Sequence, residues 1–236
     1  MLARPFVTRY ANGMLTIVFD LDGTLIDTAP DLIDTLNLIL GQEGLPVVSF
    51  AAARNMIGGG AKAMIERALV AEGRSCSTKE IDHFYRAFIA HYAAHIADRS
   101  RPFPKLEATL EGLAAAGHRL AVCTNKLEWL SVRLLQSLKL AQYFAAICGQ
   151  DTFGVQKPDP EIFRRTVARA GGEPIQAIMI GDSQTDVATA HAASVPVIAV
   201  DFGYSDVPIR TLKPDRIISS YADLPAAIVE LTAERP

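Results

Sequence analysis

Asp20 and Asp22 stand one residue apart, directly after the apolar run Ile17-Val18-Phe19. β-Branched and aromatic residues in succession favour a buried strand. Side chains alternate along extended chain, so the two carboxylates face one way while Leu21 turns back to the core. Two like charges this close are costly unless a cation neutralises them, and hard oxygen ligands on a rigid scaffold suit Mg²⁺. Gly23 then lets the backbone leave the strand sharply. Three further polar groups follow. Thr124, Asn125 and Lys126 come after the run LAVC, and Lys157 lies in the loop QKPDP. Gly181, Asp182 and Ser183 come after AIMI, with Asp186 one helical turn beyond Asp182.

Phosphoryl transfer requires this inventory. A phosphate dianion must approach a carboxylate nucleophile, and the two repel. Mg²⁺ and a lysine cancel that repulsion and stabilise charge on the equatorial oxygens. A hydroxyl and backbone N–H groups hold the remaining oxygens. A second carboxylate passes a proton to the leaving oxygen. Asp20, Asp22, Thr124, Lys157, Asp182 and Asp186 fill these roles. Each also has a plainer reading alone: an Asp-Gly hairpin turn, a helix N-cap at Thr124 or Asp182, a solvated lysine at Lys157. Four such signals in chain order favour a shared site.

The elements that must position these residues are legible as patterns. Strands are expected at Ile17–Phe19, Arg119–Cys123, Ala145–Cys148, Ala177–Ile180 and Val197–Val200, with an edge strand at Arg216–Ile218. Helices alternate with them over Leu106–Ala116, Leu127–Leu138, Glu161–Ala170, Thr185–Ala193 and Leu224–Leu231. This alternation predicts an α/β fold, a doubly wound, Rossmann-like parallel sheet with right-handed crossovers. Between about Asp27 and Asp98 no convincing strand is found. Helical stripes there include Leu32-Ile33-Leu36-Ile39-Leu40 and Ile81-Phe84-Tyr85-Phe88-Ile89-Tyr92-Ile96. Ser77 and Glu80 form a capping-box pattern at the start of the second. The division expected is an N-terminal extension (1–13), an α/β core (14–26 and 99–236) and an all-helical insert (27–98).

The formal net charge of −3 implies no bulk attraction to nucleic acid or to an anionic membrane. Cys76, Cys123 and Cys148 form no CxxC pair, which argues against a disulfide framework or a zinc site and makes a reducing, cytoplasmic setting the default. No apolar run approaches a membrane span, and the first residues lack the apolar stretch of a signal peptide. Met14, immediately before the first strand, is an alternative start. His91 and His95 lie four apart on a helical stripe, but HYAAH lacks the glutamate of a zinc-protease helix and no third ligand is evident, so they read as surface or packing residues.

The chain resembles the haloacid dehalogenase-like superfamily of aspartate-nucleophile phosphohydrolases. Its first motif is similar to DLDGT at Asp20–Thr24, its second to Thr124, its third to Lys157-Pro158 and its fourth to GDSQTD at Gly181–Asp186. The resemblance implies Asp20 as nucleophile and Asp22 as general acid/base. It also implies Mg²⁺ held by the Asp20 side chain, the Asp22 carbonyl and Asp182, supported by Asp186. The helical insert matches the position of that family's mobile cap. Thr124, Asn125 and Lys157 are then candidate phosphate contacts. The glycine run Gly58–Gly60 offers bare backbone to the cleft, with Gly59 as a candidate contact. Lys62 is either a contact for the substrate's anionic end or a solvated lysine. A narrower resemblance, to bacterial phosphoglycolate phosphatases, rests on Thr124-Asn125-Lys126, on IGGGAKAMIERAL and on Gly203-Tyr204. It implies a small phosphorylated metabolite, 2-phosphoglycolate, as substrate, and a monomer or homodimer. The rivals are a phosphomutase or phosphatase acting on a sugar phosphate or nucleotide, and a non-catalytic phosphate-responsive binding protein. A dehalogenase is disfavoured, because it would not need the acid at Asp22.

Overall fold

The computed structural model describes residues 13–233; apart from Gly13, the expected N-terminal extension lies outside them. The central sheet is built around β1 (Thr16–Phe19). On one side lie β4 (Arg119–Cys123) and then β5 (Ala146–Cys148). On the other lie β6 (Ala177–Gly181), β7 (Val197–Val200) and β8 (Arg216–Ile218). The order β5-β4-β1-β6-β7-β8 is parallel throughout, with Phe19 opposite Val122 on one side and Ile180 on the other. The chain leaves β1 for strands on one side and later returns to the other. β1 is therefore the point where strand order reverses, where open α/β sheets bind ligands at their carboxyl ends.

Burial on both faces explains the unbroken apolar run of β1. Ile17 and Phe19 join one core cluster, with Leu110 of α5 (Leu106–Ala115), Leu130 of α6 (Glu128–Ser137) and Ile228 of α9 (Leu224–Ala233). Val18 points the other way, into a second cluster with Phe163 of α7 (Pro160–Arg169) and Val187 of α8 (Gln184–Ala193). Helices thus cover both faces, as the alternation of elements predicts. Each side chain buried this way contributes about 1.5–3 kcal/mol.

Four helices, α1 (Ala29–Gln42), α2 (Phe50–Arg54), α3 (Ala61–Ala71) and α4 (Thr78–Ala94), fill the insert. The Ser77–Glu80 capping box forms at the start of α4, and Ile81, Phe84, Phe88 and Tyr92 are its buried stripe. At the neck of the insert, β2 (Ile26–Asp27) pairs antiparallel with β3 (Arg101–Pro102). This ribbon was not expected, because two residues per strand are too few to show a period. Just inside it, the buried Asp31 carboxylate accepts from the N–H groups of Arg99 and Ser100 and from the Ser100 hydroxyl at 2.6–3.1 Å. The two chain passages are thereby fastened to each other.

Candidate active site

β1 ends at Phe19, and Asp20 extends its ladder by donating its N–H to the Ile180 carbonyl at 2.9 Å. The chain then folds into a tight turn. The N–H groups of Thr24, Leu25 and Ile26 converge on the Leu21 carbonyl, and Gly23 N–H donates to Ile26. The Asp22 carbonyl takes no part in this network. Gly23 has φ +82°, and a Cβ there would lie 2.5 Å from Asp182 Oδ2, so both conformation and space exclude any other residue.

Three carboxylates and a lysine meet beside this turn. Asp20 Oδ1 accepts from Leu21 N–H at 2.7 Å and stands 2.9 Å from Lys157 Nζ. Lys157 Nζ also donates to Asp186 Oδ1 at 2.6 Å. Asp186 Oδ2 accepts from the Asp182 and Ser183 N–H groups and from the Ser183 hydroxyl, closing the capping box of α8. The N-cap is therefore Ser183, not Asp182. Asp182 Oδ1 accepts from Thr24 Oγ1 and its Oδ2 from Tyr204 N–H, both at 2.7 Å. Tyr204 in turn donates its hydroxyl to Asp27 at 2.6 Å and accepts from Ala29 N–H at 2.9 Å.

Asp20, Asp182 and Asp186 each bring an oxygen within 4.8 Å of the others, and all three residues are buried. Burial, then the neighbouring Asp186 and Asp20 charges, raises the Asp182 carboxyl. Burial also raises Asp20, against the opposing pull of Lys157. Lys157 stays charged despite its burial, because Asp186 and Asp20 outweigh the desolvation. One lysine thus leaves this cluster short of positive charge.

The second motif sits one strand away. Thr124 N–H donates to the Cys148 carbonyl, while the Thr124 hydroxyl accepts from Lys126 N–H at 3.3 Å. Leu127 is the N-cap of α6, so Thr124 is not. Asn125 uses both ends of its amide on one residue: Nδ2 donates to the Lys157 carbonyl at 3.1 Å, and Oδ1 accepts from Lys157 N–H at 2.9 Å. Asp22 accepts from the Thr28 hydroxyl and from both contacts of Lys126 Nζ, each at 2.8 Å. Asp20, Asp22, Thr124 and Lys126 all line one cavity of about 40 Å³, roofed by the insert through Tyr92 and Gly60.

The sequence matches the model of the haloacid dehalogenase-like hydrolases over residues 17–200. This chain belongs to that family. It is 47% identical over 214 residues to a phosphoglycolate phosphatase of Mesorhizobium japonicum, covering 91% of this chain and 94% of the relative. It is 44% identical over 225 residues to one of Caulobacter vibrioides, covering 95% and 94%. Among solved structures, a predicted phosphoglycolate phosphatase from Haemophilus somnus superposes with TM-score 0.85 at 32% identity, covering 92% of this chain and 99% of the other.

Phosphatases of this family typically use a divalent cation, and the donor set fits one. Hard carboxylate oxygens from Asp20, Asp182 and Asp186 meet in a cluster deficient in positive charge. Asp182 and Asp186 each have both oxygens hydrogen-bonded, and Asp186 also pairs with Lys157. No helix among the described residues is long and apolar enough to cross a membrane.

Two candidate substrate contacts on the insert, Lys62 and Gly59, do not line the cavity. Lys62 does not reach the cavity: its ammonium pairs with Asp82 at 2.6 Å, half exposed, above the Tyr85 ring. Gly59 does not line it either. Gly58 and Gly60 do, and a Cβ at Gly60 would lie 3.1 Å from the Asn125 carbonyl. Asn125 lines the cavity, and its amide also holds the Lys157 backbone. His91 and His95 stack at 4.4 Å, with His95 on Asp98 at 2.7 Å, as packing and surface residues. What sequence reasoning missed is the role of Lys126. Its signal was its place directly after Thr124 and Asn125, at a strand end.

Proposed function

We propose that this chain is a Mg²⁺-dependent phosphatase that hydrolyses a small phosphate monoester, 2-phosphoglycolate, to glycolate and phosphate through an aspartyl-phosphate. The observation that carries this reading is Asp20. It is a buried carboxylate at the end of the central strand, with Lys157 Nζ at 2.9 Å on Oδ1 and Asp182 and Asp186 beside it. Both of its contacts fall on Oδ1, which leaves Oδ2 for attack.

In the first step Asp20 attacks phosphorus, the P–O ester bond breaks, and its electron pair leaves on the alcohol oxygen, which takes a proton from Asp22. In the second step Asp22 takes a proton from water as the water attacks phosphorus, which returns the Asp20 carboxylate and releases phosphate. Mg²⁺ would be held by Asp20, Asp182 and the Asp22 carbonyl and would supply charge neutralisation for the incoming dianion. Lys157 adds a fixed positive charge on the same oxygens, and the Thr124 hydroxyl donates to one of them. Asp22 is held facing the cavity by Thr28 and Lys126. The α1–α4 insert acts as a cap over residues 27–98, excluding water and limiting substrate size. The small cavity supports a small leaving group, and the names of the relatives support phosphoglycolate.

Rapid-quench intact-mass spectrometry with an aryl phosphate tests the assignment. Asp22→Asn keeps the nucleophile and accumulates one added phosphoryl group, whereas Asp20→Asn shows none. A phosphoryl group on the Asp20 variant would overturn it.

A further inference from the structure

Lys126 is a buried cation with a donor to spare. It is 8% exposed, and its ammonium makes two contacts at 2.8 Å with the Asp22 carboxylate. An ammonium has three N–H donors. The remaining side of Nζ faces the Tyr92 ring, 4.7 Å from its centroid, where the insert closes over the cavity. Burial works against the charge, but Asp22 outweighs it and holds the lysine above its usual range.

Tyr92 supplies a second, independent observation. Among the described residues its hydroxyl is the one buried side-chain polar atom without a hydrogen-bond partner, and the residue is 1% exposed. Lys126 Nζ neighbours that hydroxyl through its charge and its N–H, but an ammonium only donates, so the Tyr92 O–H proton has no acceptor. Buried polar atoms are nearly always paired, so an orphan lining a cavity calls for a ligand acceptor. The position of Lys126 is also fixed from behind. A Cβ at Gly149 would come 2.4 Å from the Lys126 carbonyl, and Gln150 N–H donates to that carbonyl at 3.1 Å.

Among the described residues no other cation lines this cavity. Lys157 lies against Asp20 and Asp186, and Lys62 is paired outside with Asp82. The rest of the wall on the insert side is largely apolar, from Leu32, Ile57, Met64 and Phe88, with Tyr85 its other hydroxyl-bearing residue.

We propose that Lys126 Nζ and Tyr92 Oη form the subsite for a carboxylate carried by the substrate's leaving group, so that the core strand end, not the insert's lysine, sets the preference for an acidic ester. The subsite rests on the phosphatase reading and deepens it. The carboxylate accepts from the third ammonium N–H and from the tyrosine hydroxyl. The substrate carbon between carboxylate and ester oxygen then lies beside Asp22, the group that protonates that oxygen. An ester without the carboxylate leaves both donors unpaired, which is how a polar site rejects an analogue.

The test compares 2-phosphoglycolate with ethyl phosphate, which has the same length but a methyl group for the carboxylate. The readout is the ratio of their kcat/KM values. Loss of Asp22's partner in Lys126→Met slows both esters and cancels in that ratio. Wild type is expected to favour 2-phosphoglycolate by about 100-fold or more. Tyr92→Phe should cut the ratio about 10-fold, mainly through KM, and Lys126→Met about 100-fold. Equal losses on both esters in the two variants would overturn the subsite and leave Lys126 as a support for Asp22. Mg²⁺-dependent turnover of p-nitrophenyl phosphate by wild type, with no preference between the two esters, would overturn the subsite alone. No turnover of any of the three would overturn the phosphatase reading and the subsite with it.

Discussion

Replacing Asn125 by alanine separates two roles that a polar residue at a phosphate site can have. Its amide makes two hydrogen bonds to the Lys157 backbone, at 2.9 and 3.1 Å, and both residues are buried. Alanine strands one buried N–H and one buried carbonyl. Each stranded group costs about 1–3 kcal/mol, so the pair costs about 2–6 kcal/mol. For a chain of this size that corresponds to a fall in Tm of roughly 5–20 °C. Lys157 Nζ then loses its fixed station between Asp20 and Asp186, and a displacement near 1 Å costs about 100-fold in kcat. Asn125→Asp keeps the acceptor at Oδ1 but turns a carboxylate oxygen towards the Lys157 carbonyl and buries its charge, so it should lose at least as much stability as alanine. Urea denaturation of both variants, with steady-state kinetics on 2-phosphoglycolate, measures these effects. An alanine variant as stable as wild type, with raised KM and unchanged kcat, would show that Asn125 binds substrate and that the positioning argument is wrong.

The carboxylate cluster gives a pH-dependent prediction. Without metal, Asp20 and Asp182 have folded-state pKa values above their unfolded values, so the folded state holds extra protons and loses stability as pH rises from the ordinary carboxylate range. Mg²⁺ displaces those protons, so its increment in Tm should be larger at pH 8 than at pH 5.5, with proton release on binding by calorimetry. Equal increments at the two pH values would contradict this. Lys62→Ala removes only an exposed pair with Asp82, so kcat and KM on 2-phosphoglycolate should stay within about twofold and the urea midpoint should not move. A severalfold rise in KM would return Lys62 to the cleft.

Much of the fold is legible in the sequence because its signals are local. Apolar runs that end in Asp20, Thr124 and Asp182 mark strands buried on both faces and opening at one edge. Their parallel order puts the three residues together without any knowledge of side-chain contacts. Partner choice is a tertiary matter and is not legible in this way. Lys62 on α3 meets Asp82 on α4 because the two helices pack side by side, and nothing near Lys62 in sequence announces it. Tyr92 falls on the apolar stripe of α4, and its burial follows from that spacing. The direction of its hydroxyl does not, because periodicity describes a helix face and not the far end of a long side chain. Asn125 shows the same limit. Its type and place suggest a phosphate contact, and only the return of the Lys157 loop reveals where its amide goes.

The central position of β1 has a consequence for how the chain is made. The strand carrying Asp20 is made before its neighbours β4 and β6, so Thr16 must wait for Arg119 and then Ala177. The insert's helices pair with elements nearby in sequence and can condense first. Pairings this distant close large loops before they are rewarded, which makes such sheets slow to form. In the interval Ile17, Val18 and Phe19 form a bare apolar edge, the kind of segment that aggregates when exposed. Expression at lower temperature, or with chaperones present, should therefore recover more soluble protein than changes to the surface of the finished molecule.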